Sequence, residues 1–359
     1  MIQDTVKATE NRVAYLDSIR GIAALSVVIF HSNVWLDFTK DPFFRSSLPS
    51  HILNMFFNGH NAVSLFFVLS GFVLSFKYLS KKIEQVSYIE FIIKRFFRLY
   101  PAYWFVLILV AIYTKTNFST FFSEIPLLIT TNHTLIPPAW SLIVEMKMSL
   151  VFLFFLVLAV RNLKLLFLMA FLHWLLFGFE LYVVHFCIGI ALAYYFEYIK
   201  AIQWNKPKRY LLFFIGFVLC SFKQIHFAIV PHENFKDTNT QFAFLLSAFG
   251  CAIWLILAMS APSFQRKLES KALLFLGNIS YGLYVGHWFI FINILEPHFN
   301  LFLSWIGSYY LTHFLIRFVV MISLSVLFAT FLYYFVEKPF IKIGYKIAQK
   351  FKNKFVVRL

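Results

Sequence analysis

Long apolar stretches follow one another through nearly the whole chain, separated by short polar connections. Hydrophobic residues make up 60% of the 359 residues and charged residues 13%, whereas soluble domains are about 45–50% apolar. About 20 apolar residues suffice to cross a bilayer as a helix. Ten such stretches lie near residues 17–36, 61–79, 100–114, 139–160, 163–179, 181–199, 210–226, 240–260, 272–295 and 309–335. The sequence therefore predicts an all-α, polytopic integral membrane protein with about ten transmembrane helices.

The formal charge of +16 follows from where the 32 Lys and Arg residues lie. Most of them flank the N-terminus, the connections after the even-numbered spans, and the C-terminus. Cytoplasmic loops of membrane proteins carry such an excess, so the pattern predicts that both termini are cytoplasmic. The basic charge is thereby explained by topology, with the lipid bilayer as the partner, and it predicts no nucleic-acid partner.

The chain is predicted to consist of three segments. Residues 1–14 form a cytoplasmic N-terminal segment, residues 15–340 a membrane domain, and residues 341–359 a basic cytoplasmic tail. The N-terminal segment is polar and no cleavage site follows the first apolar run, so we expect no signal peptide. The 3 cysteines match no metal or redox spacing, and the sequence predicts no metal site.

The first span, DSIRGIAALSVVIFHS, carries ionisable residues that are costly in lipid. Arg20 and His31 are three helical turns apart, which places them on one helix face roughly 16 Å from each other. Asp17 lies one turn before Arg20 and can pair with it. In the less specific interpretation Arg20 reaches lipid phosphates and His31 is an interfacial histidine. The shared face favours a functional site.

Two further stretches place polar groups in or beside the spans. Ser70 and Gly71 lie within LFFVLSGFVLSF, where small residues either let helices approach closely or make room for a ligand. Arg95 and Arg98 lie on one helix face at the inner boundary, and paired arginines suit phosphate binding. From the sequence alone a positive-inside anchor explains these arginines better.

Two later spans also carry groups that could act in a site. Glu145 lies in PPAWSLIVEMKMSL, and Lys147 lies on another face of the same helix, so Glu145 needs a separate partner. This makes a functional carboxylate the favoured interpretation. The stretch LGNISYGLYVGHWFIF contains four polar or aromatic candidates, namely Ser280, Tyr281, Tyr284 and His287.

The chain resembles the acyltransferase-3 family of polytopic membrane O-acyltransferases from roughly residue 15 to residue 340. It shares six motifs in the family's order: YLDSIRGIAALSVVIFHS, FFVLSGF, RFFRLYPAYW, WSLIVE, LGNISYGLYVGHW and VEKPF. The resemblance implies a ten-helix protein of the inner (cytoplasmic) cell membrane, in the stand-alone form without an appended esterase-like domain. It implies acyl transfer, usually of acetyl from cytoplasmic acetyl-CoA, to a hydroxyl of a cell-envelope or secreted carbohydrate.

The resemblance also implies roles for individual residues. His31 matches the family's histidine of the first span, and a histidine is suited to deprotonate an attacking hydroxyl. Glu145 matches the acid after Trp-Ser-Leu and is expected to orient His31. Arg20, Arg95 and Arg98 match the family's arginines and are expected to bind the phosphate end of the acyl-CoA.

Other residues are expected to line the two substrate sites. Ser70 is assigned to the donor side. The residues assigned to the carbohydrate acceptor are Trp140, Ser141, Tyr281, Tyr284 and His287. The chain departs from the family after its acid, where Met148 and Ser149 replace a common aromatic pair, and after His287, where Phe289 replaces a common proline.

Two other classes of protein remain open at this point. A transporter or flippase of a glycolipid-linked sugar would also be polytopic with intramembrane charges, but it would predict inverted repeats, and none is found. A non-catalytic scaffold would have little use for a histidine and a carboxylate at membrane depth. The acceptor, the acyl chain and the oligomeric state stay open.

Overall fold

The computed structural model describes residues 13–35, 59–80, 84–128, 135–177, 182–229, 237–297, 310–352 and 354–359. The first half contains α1 (Ala14–Trp35), α2 (Gly59–Ser80), β1 (Gln85–Ser87), α3 (Tyr88–Thr114), α4 (Phe118–Glu124), a 3₁₀ turn (Pro137–Ala139), α5 (Trp140–Arg161) and α6 (Leu163–Phe177). The second half contains α7 (Val183–Tyr194), α8 (Phe196–Ala201), α9 (Lys206–Cys220), α10 (Phe222–Ile229), α11 (Asp237–Met259), α12 (Pro262–Leu268), α13 (Lys271–Asn278), α14 (Ser280–Phe289), α15 (Tyr310–Phe331), α16 (Lys338–Gln349) and β2 (Val356–Arg358).

Six helical segments are long and apolar enough to cross a membrane. They are Ala14–Ser32, Gly59–Ser80, Tyr88–Thr114, Pro137–Arg161, Phe242–Met259 and Phe318–Gln349. A seventh span exists if Lys271–Asn278 and Ser280–Leu295, which are bent by 62°, form one broken helix. The described residues thus confirm a helical, multi-pass membrane protein, with a two-stranded sheet as its strand content. The count of ten spans and the cytoplasmic termini stay predictions.

Two of the predicted spans coincide with described helices that are short for a membrane span. The predicted spans 163–179 and 181–199 coincide with α6 and with α7 followed by α8, and the apolar helices Leu163–Phe177 and Val183–Tyr194 have 10 to 17 residues each. A helix rises about 1.5 Å per residue and the hydrocarbon core is about 30 Å thick. Each described helix is shorter than the roughly 20 residues that a span needs, and residues 178–181 between them lie outside the described residues. Residues 1–12 of the predicted N-terminal segment lie outside the described residues.

Helices α2 and α7 approach each other closely at two glycines. A Cβ atom at Gly189 would overlap the backbone carbonyl of Val68, and one at Gly71 would overlap that of Phe186. Small residues allow such contacts between membrane helices. Of the two interpretations of the Ser70–Gly71 pair, the structure supports close helix packing for Gly71.

We expect Gly189→Val to destabilise the protein by about 1–3 kcal/mol, because the added atoms must push α2 and α7 apart. The measurement is the thermal midpoint of the purified protein in one detergent. Val73→Leu is the matched control, since Val73 is 46% exposed on another face of α2. Equal midpoints for the two variants would contradict the close contact.

The bent pair α13 and α14 packs along α1, which carries Arg20 and His31. After α14 the chain continues as a π-helix at Ile290–Leu295, and α15 continues as another at Leu332–Glu337. Such π-helical turns are rare and are frequently found at functional sites. The N-terminal half of α1 lies against α13, and its C-terminal half lies against α14.

The C-terminal residues fold back onto the connection between α2 and α3. Strand β2 pairs antiparallel with β1, with Val357 opposite Val86. The hydroxyl of Ser87, the N-cap of α3, lies 2.8 Å from the carbonyl oxygen of Phe351 and 2.6 Å from that of Lys354. The predicted basic tail therefore contains most of α16 and a strand that is held in place.

Candidate active site

Two histidine rings from opposite ends of the sequence lie against each other. His31 on α1 and His287 on α14 are stacked with centroids 5.1 Å apart, and Nε2 of His287 lies 3.1 Å from Nδ1 of His31. His287 is fully buried, whereas His31 is half-buried. The ring edges of Phe30 and Trp288 pack on His31 at 5.3 and 5.6 Å and limit its orientation.

The tautomers of both rings follow from their neighbours. A carbonyl oxygen accepts hydrogen bonds and does not donate them, so Nδ1 of His287, which is 2.7 Å from the carbonyl oxygen of Tyr284, carries a proton. Nδ1 of His31 lies 3.1 Å from the carbonyl oxygen of Val27 and therefore also carries a proton, for which Nε2 of a neutral His287 is a second acceptor. His31 keeps Nε2 as its unprotonated nitrogen, which is the state that a general base requires.

A cavity of about 180 Å³ opens beside His31. Its walls come from α1, α2, the turn before α5, and α14, and they are mostly aromatic or apolar. The lining residues are Val27, Phe30, His31, Gly59, His60, Val63, Pro137, Pro138, Trp140, Tyr284 and Trp288. Among the residues described, no group of three or more His, Cys, Asp or Glu side chains could hold a metal ion.

Two hydroxyl groups form hydrogen bonds between α14 and the turn before α5. Tyr284 donates to the carbonyl oxygen of Pro138 at 3.0 Å, and the hydroxyl of Ser141 lies 2.7 Å from that of Tyr284. Both side chains are buried. They therefore shape the cavity wall, and the Tyr284 ring and the Trp140 indole present their surfaces to it.

Glu145 and Arg95 form an ion pair between α5 and α3. Arg95 also donates to the hydroxyl of Ser149 at 3.1 Å, one turn further along α5. The expectation that Glu145 needs a partner other than Lys147 is confirmed. The structure places this carboxylate on Arg95, and His287 rather than Glu145 is the residue on Nδ1 of His31.

Arg20 is bound within the protein as well. It pairs with Asp17 at 3.0 Å and donates to the hydroxyl of Ser280 at 3.0 Å and to the carbonyl oxygen of Gly277 at 3.1 Å. Because Arg20 contacts Ser280 and His31 contacts His287, both on α14, the prediction of a shared face on α1 is confirmed.

The remaining predicted residues lie away from the histidine pair. Arg98 on α3 is half-buried and interacts electrostatically with Glu337. Tyr281 donates to the carbonyl oxygen of Leu99 on α3 and does not line the cavity beside His31. Ser70 is half-buried on α2 next to the close helix contact, and its hydroxyl makes no hydrogen bond to another described residue.

Two of the cavity residues that were not predicted from the sequence, His60 and Trp288, carry ring nitrogens. His60 lies in the first turn of α2, and its ring packs against those of Phe30 and Phe244 with centroids 6.1 and 5.7 Å away. Trp288 directly follows the predicted His287. No spacing within a single stretch points to His60, because it reaches the site through the packing of α2 on α1.

Comparison with known proteins adds three findings. The family model described as an acyltransferase domain, that of the acyltransferase-3 family, matches residues 13–334. "Protein 2 in picA locus" of Rhizobium radiobacter is 40% identical over 103 residues, which are 28% of this chain and 46% of that protein. The chain thus spans less than half the length of this relative. No solved structure matches the chain.

Proposed function

The chain belongs to the acyltransferase-3 family, and on this premise we propose that it transfers an acyl group, acetyl in the first instance, from acyl-CoA to a carbohydrate hydroxyl. The acceptor is a cell-envelope or secreted glycan, and the enzyme is a multi-pass protein of the inner membrane with cytoplasmic termini. The observation that carries the proposal is the stacked histidine pair beside an aromatic cavity.

The reaction follows from this arrangement. The acceptor oxygen attacks the thioester carbonyl carbon while Nε2 of His31 takes the hydroxyl proton, so a C–O bond forms as the O–H bond breaks. The C–S bond then breaks, and the leaving sulfur takes the proton from His31. The products are the ester and free CoA thiol. His287 is a positioning residue, since its Nε2 accepts from Nδ1–H of His31 throughout.

The cavity walls suit a sugar acceptor. Trp140, Tyr284 and Trp288 present aromatic surface, which packs against the apolar C–H face of a sugar ring. Apolar walls with a few fixed polar groups are typical of ligand sites. Ser141 acts through Tyr284, because its hydroxyl group hydrogen-bonds to that of Tyr284. The Tyr284 hydroxyl in turn donates to the carbonyl oxygen of Pro138.

A thiol-release assay tests the proposed function. Purified protein in lipid nanodiscs is incubated with acetyl-CoA and with envelope polysaccharide from cells that lack the gene. We expect free thiol to appear when acceptor and wild-type protein are both present, together with an acetyl ester on the glycan by mass spectrometry. Sugar translocation in proteoliposomes without thiol release would instead identify a transporter.

We expect His287→Phe to lower kcat about tenfold with little change in KM, because Nδ1–H of His31 loses one of its two acceptors while the carbonyl oxygen of Val27 remains. His287→Gln should recover part of the rate, since its amide oxygen can accept from Nδ1–H of His31. The measurement is the thiol-release rate at saturating acetyl-CoA. Equal rates for wild type and His287→Phe would contradict the positioning role.

A further inference from the structure

A second imidazole in the aromatic cavity has no part in the proposed reaction. Helix α2 contributes Gly59, His60 and Val63 to the cavity wall, and His60 is the polar side chain among these three. It is half-buried in the first turn of α2. His60 and His31 therefore line the same cavity of about 180 Å³ from two different helices.

The ring of Phe30 packs against both histidines. Its centroid lies 5.3 Å from that of His31 and 6.1 Å from that of His60. A Cβ atom at Gly59 would lie 2.5 Å from Cδ1 of Phe30, so the backbone of α2 approaches this ring closely. Phe244 packs on the His60 ring at 5.7 Å. The position of His60 relative to His31 is thus set by packing between α1 and α2.

A sugar acceptor needs more than an aromatic surface if one of its hydroxyl groups is to be acylated. Its hydroxyl groups have similar chemistry, and apolar contact with the face of the ring is non-directional. Such contact leaves the sugar free to turn in its own plane. A hydrogen bond to a second hydroxyl is directional, and it fixes which hydroxyl lies at Nε2 of His31.

His60 is the described lining residue best suited to form this second bond. The hydroxyl of Tyr284 already donates to the carbonyl oxygen of Pro138. The indoles of Trp140 and Trp288 each carry a single N–H and can only donate. A neutral imidazole has one donor and one acceptor nitrogen, so His60 can bind a hydroxyl in either orientation.

We propose that His60 binds a second hydroxyl of the acceptor sugar and thereby selects the hydroxyl that is acylated. The inference rests on the proposed function, because it concerns the acceptor of the same reaction. It also narrows the class of acceptor to sugars that carry another free hydroxyl beside the reacting one. The reacting hydroxyl lies at His31 on α1, and the second is held from α2.

The position of the ester on the product tests this proposal. The full chain in nanodiscs is incubated with acetyl-CoA and the polysaccharide of the thiol-release assay, and acid stops the reaction before the ester can migrate. The ester position is assigned by two-dimensional NMR. The variants are His60→Phe and His60→Ala, which lack ring nitrogens, and His60→Gln, which keeps a donor and an acceptor.

Asn61→Ala is the matched control, since Asn61 lies in the same turn of α2 and does not line the cavity. We expect one main ester position from wild type, Asn61→Ala and His60→Gln, and a mixture from His60→Phe and His60→Ala. In the last two variants kcat/KM for the polysaccharide should fall about tenfold, the loss of one hydrogen bond. KM for acetyl-CoA should stay within about twofold of wild type.

Four outcomes overturn the proposal. They are a mixture of esters from wild-type protein, an unchanged ester position in His60→Phe or His60→Ala, an equal loss of kcat/KM in Asn61→Ala, and a raised KM for acetyl-CoA alone, which would place His60 at the donor. Thermal midpoints identify a variant that does not fold, and one folded variant without ring nitrogens decides the test. Failure of the proposed function is seen separately, as no thiol release by wild-type protein.

Discussion

Replacing His31 with alanine is expected to reduce acyl transfer by about 10²–10⁴-fold, the usual contribution of a general base. His31 lines the aromatic cavity, and His287 holds its proton on Nδ1, so Nε2 is the nitrogen that accepts the hydroxyl proton. Folding should be little affected, because the ring is half-buried and contacts mainly His287 and aromatic edges.

Transfer, CoA affinity and thermal midpoint are measured on the same His31→Ala preparation. His173→Ala is the control, since His173 lies on α6 and does not line the cavity beside His31. The expected result is lost turnover with CoA affinity and midpoint near those of wild type. Turnover at a tenth of the wild-type rate or more would exclude His31 as the general base.

Replacing Glu145 with glutamine is expected to act mainly on stability. The change leaves the guanidinium of Arg95, which is 10% exposed, without its carboxylate. Removing one partner of a buried ion pair costs about 3–5 kcal/mol. The hydroxyl of Ser149 remains as a neutral acceptor and does not replace the charge. We therefore expect a lower yield and a lower thermal midpoint.

A double-mutant cycle separates this role from the catalytic role that the sequence suggests for Glu145. Arg95→Met removes the cation, and the double variant with Glu145→Gln has no unpaired charge. If the pair is structural, the double variant is more stable than the sum of the single changes predicts. A stable Glu145→Gln protein with strongly reduced kcat would instead place Glu145 in the chemistry.

Contacts along one helix could be predicted from the sequence, whereas contacts between helices could not. The helical repeat places Asp17, Arg20 and His31 on one face, and the structure has them there. The partner of Glu145 depends on how α3 lies against α5, and no spacing within either helix encodes that. His287 was expected at the acceptor, but its contact with His31 depends on how α14 bends away from α13.

Part of the fold could not be predicted from the composition. The lysines of the C-terminal tail follow the positive-inside pattern. That pattern explains why the tail is basic, but it does not predict which residues the lysines lie against. The structure shows that Lys352 and Val356 complete a cavity with α2 and α3. Apolar content likewise predicts full spans at α6 and α7, whose described helices have 15 and 12 residues.

The long separation between α1 and its partners has a consequence for biosynthesis. Arg20 and Ser280 are 260 residues apart, and His31 and His287 are 256 apart. At about 5–20 residues per second of translation, roughly 13–50 s pass before the ribosome has made α14. Throughout that interval the newly inserted first helix must shield a guanidinium group from lipid. Asp17 lies one turn away on the same helix, 3.0 Å from Arg20. It can therefore neutralise the guanidinium group as soon as the first helix forms, before any neighbouring helix exists.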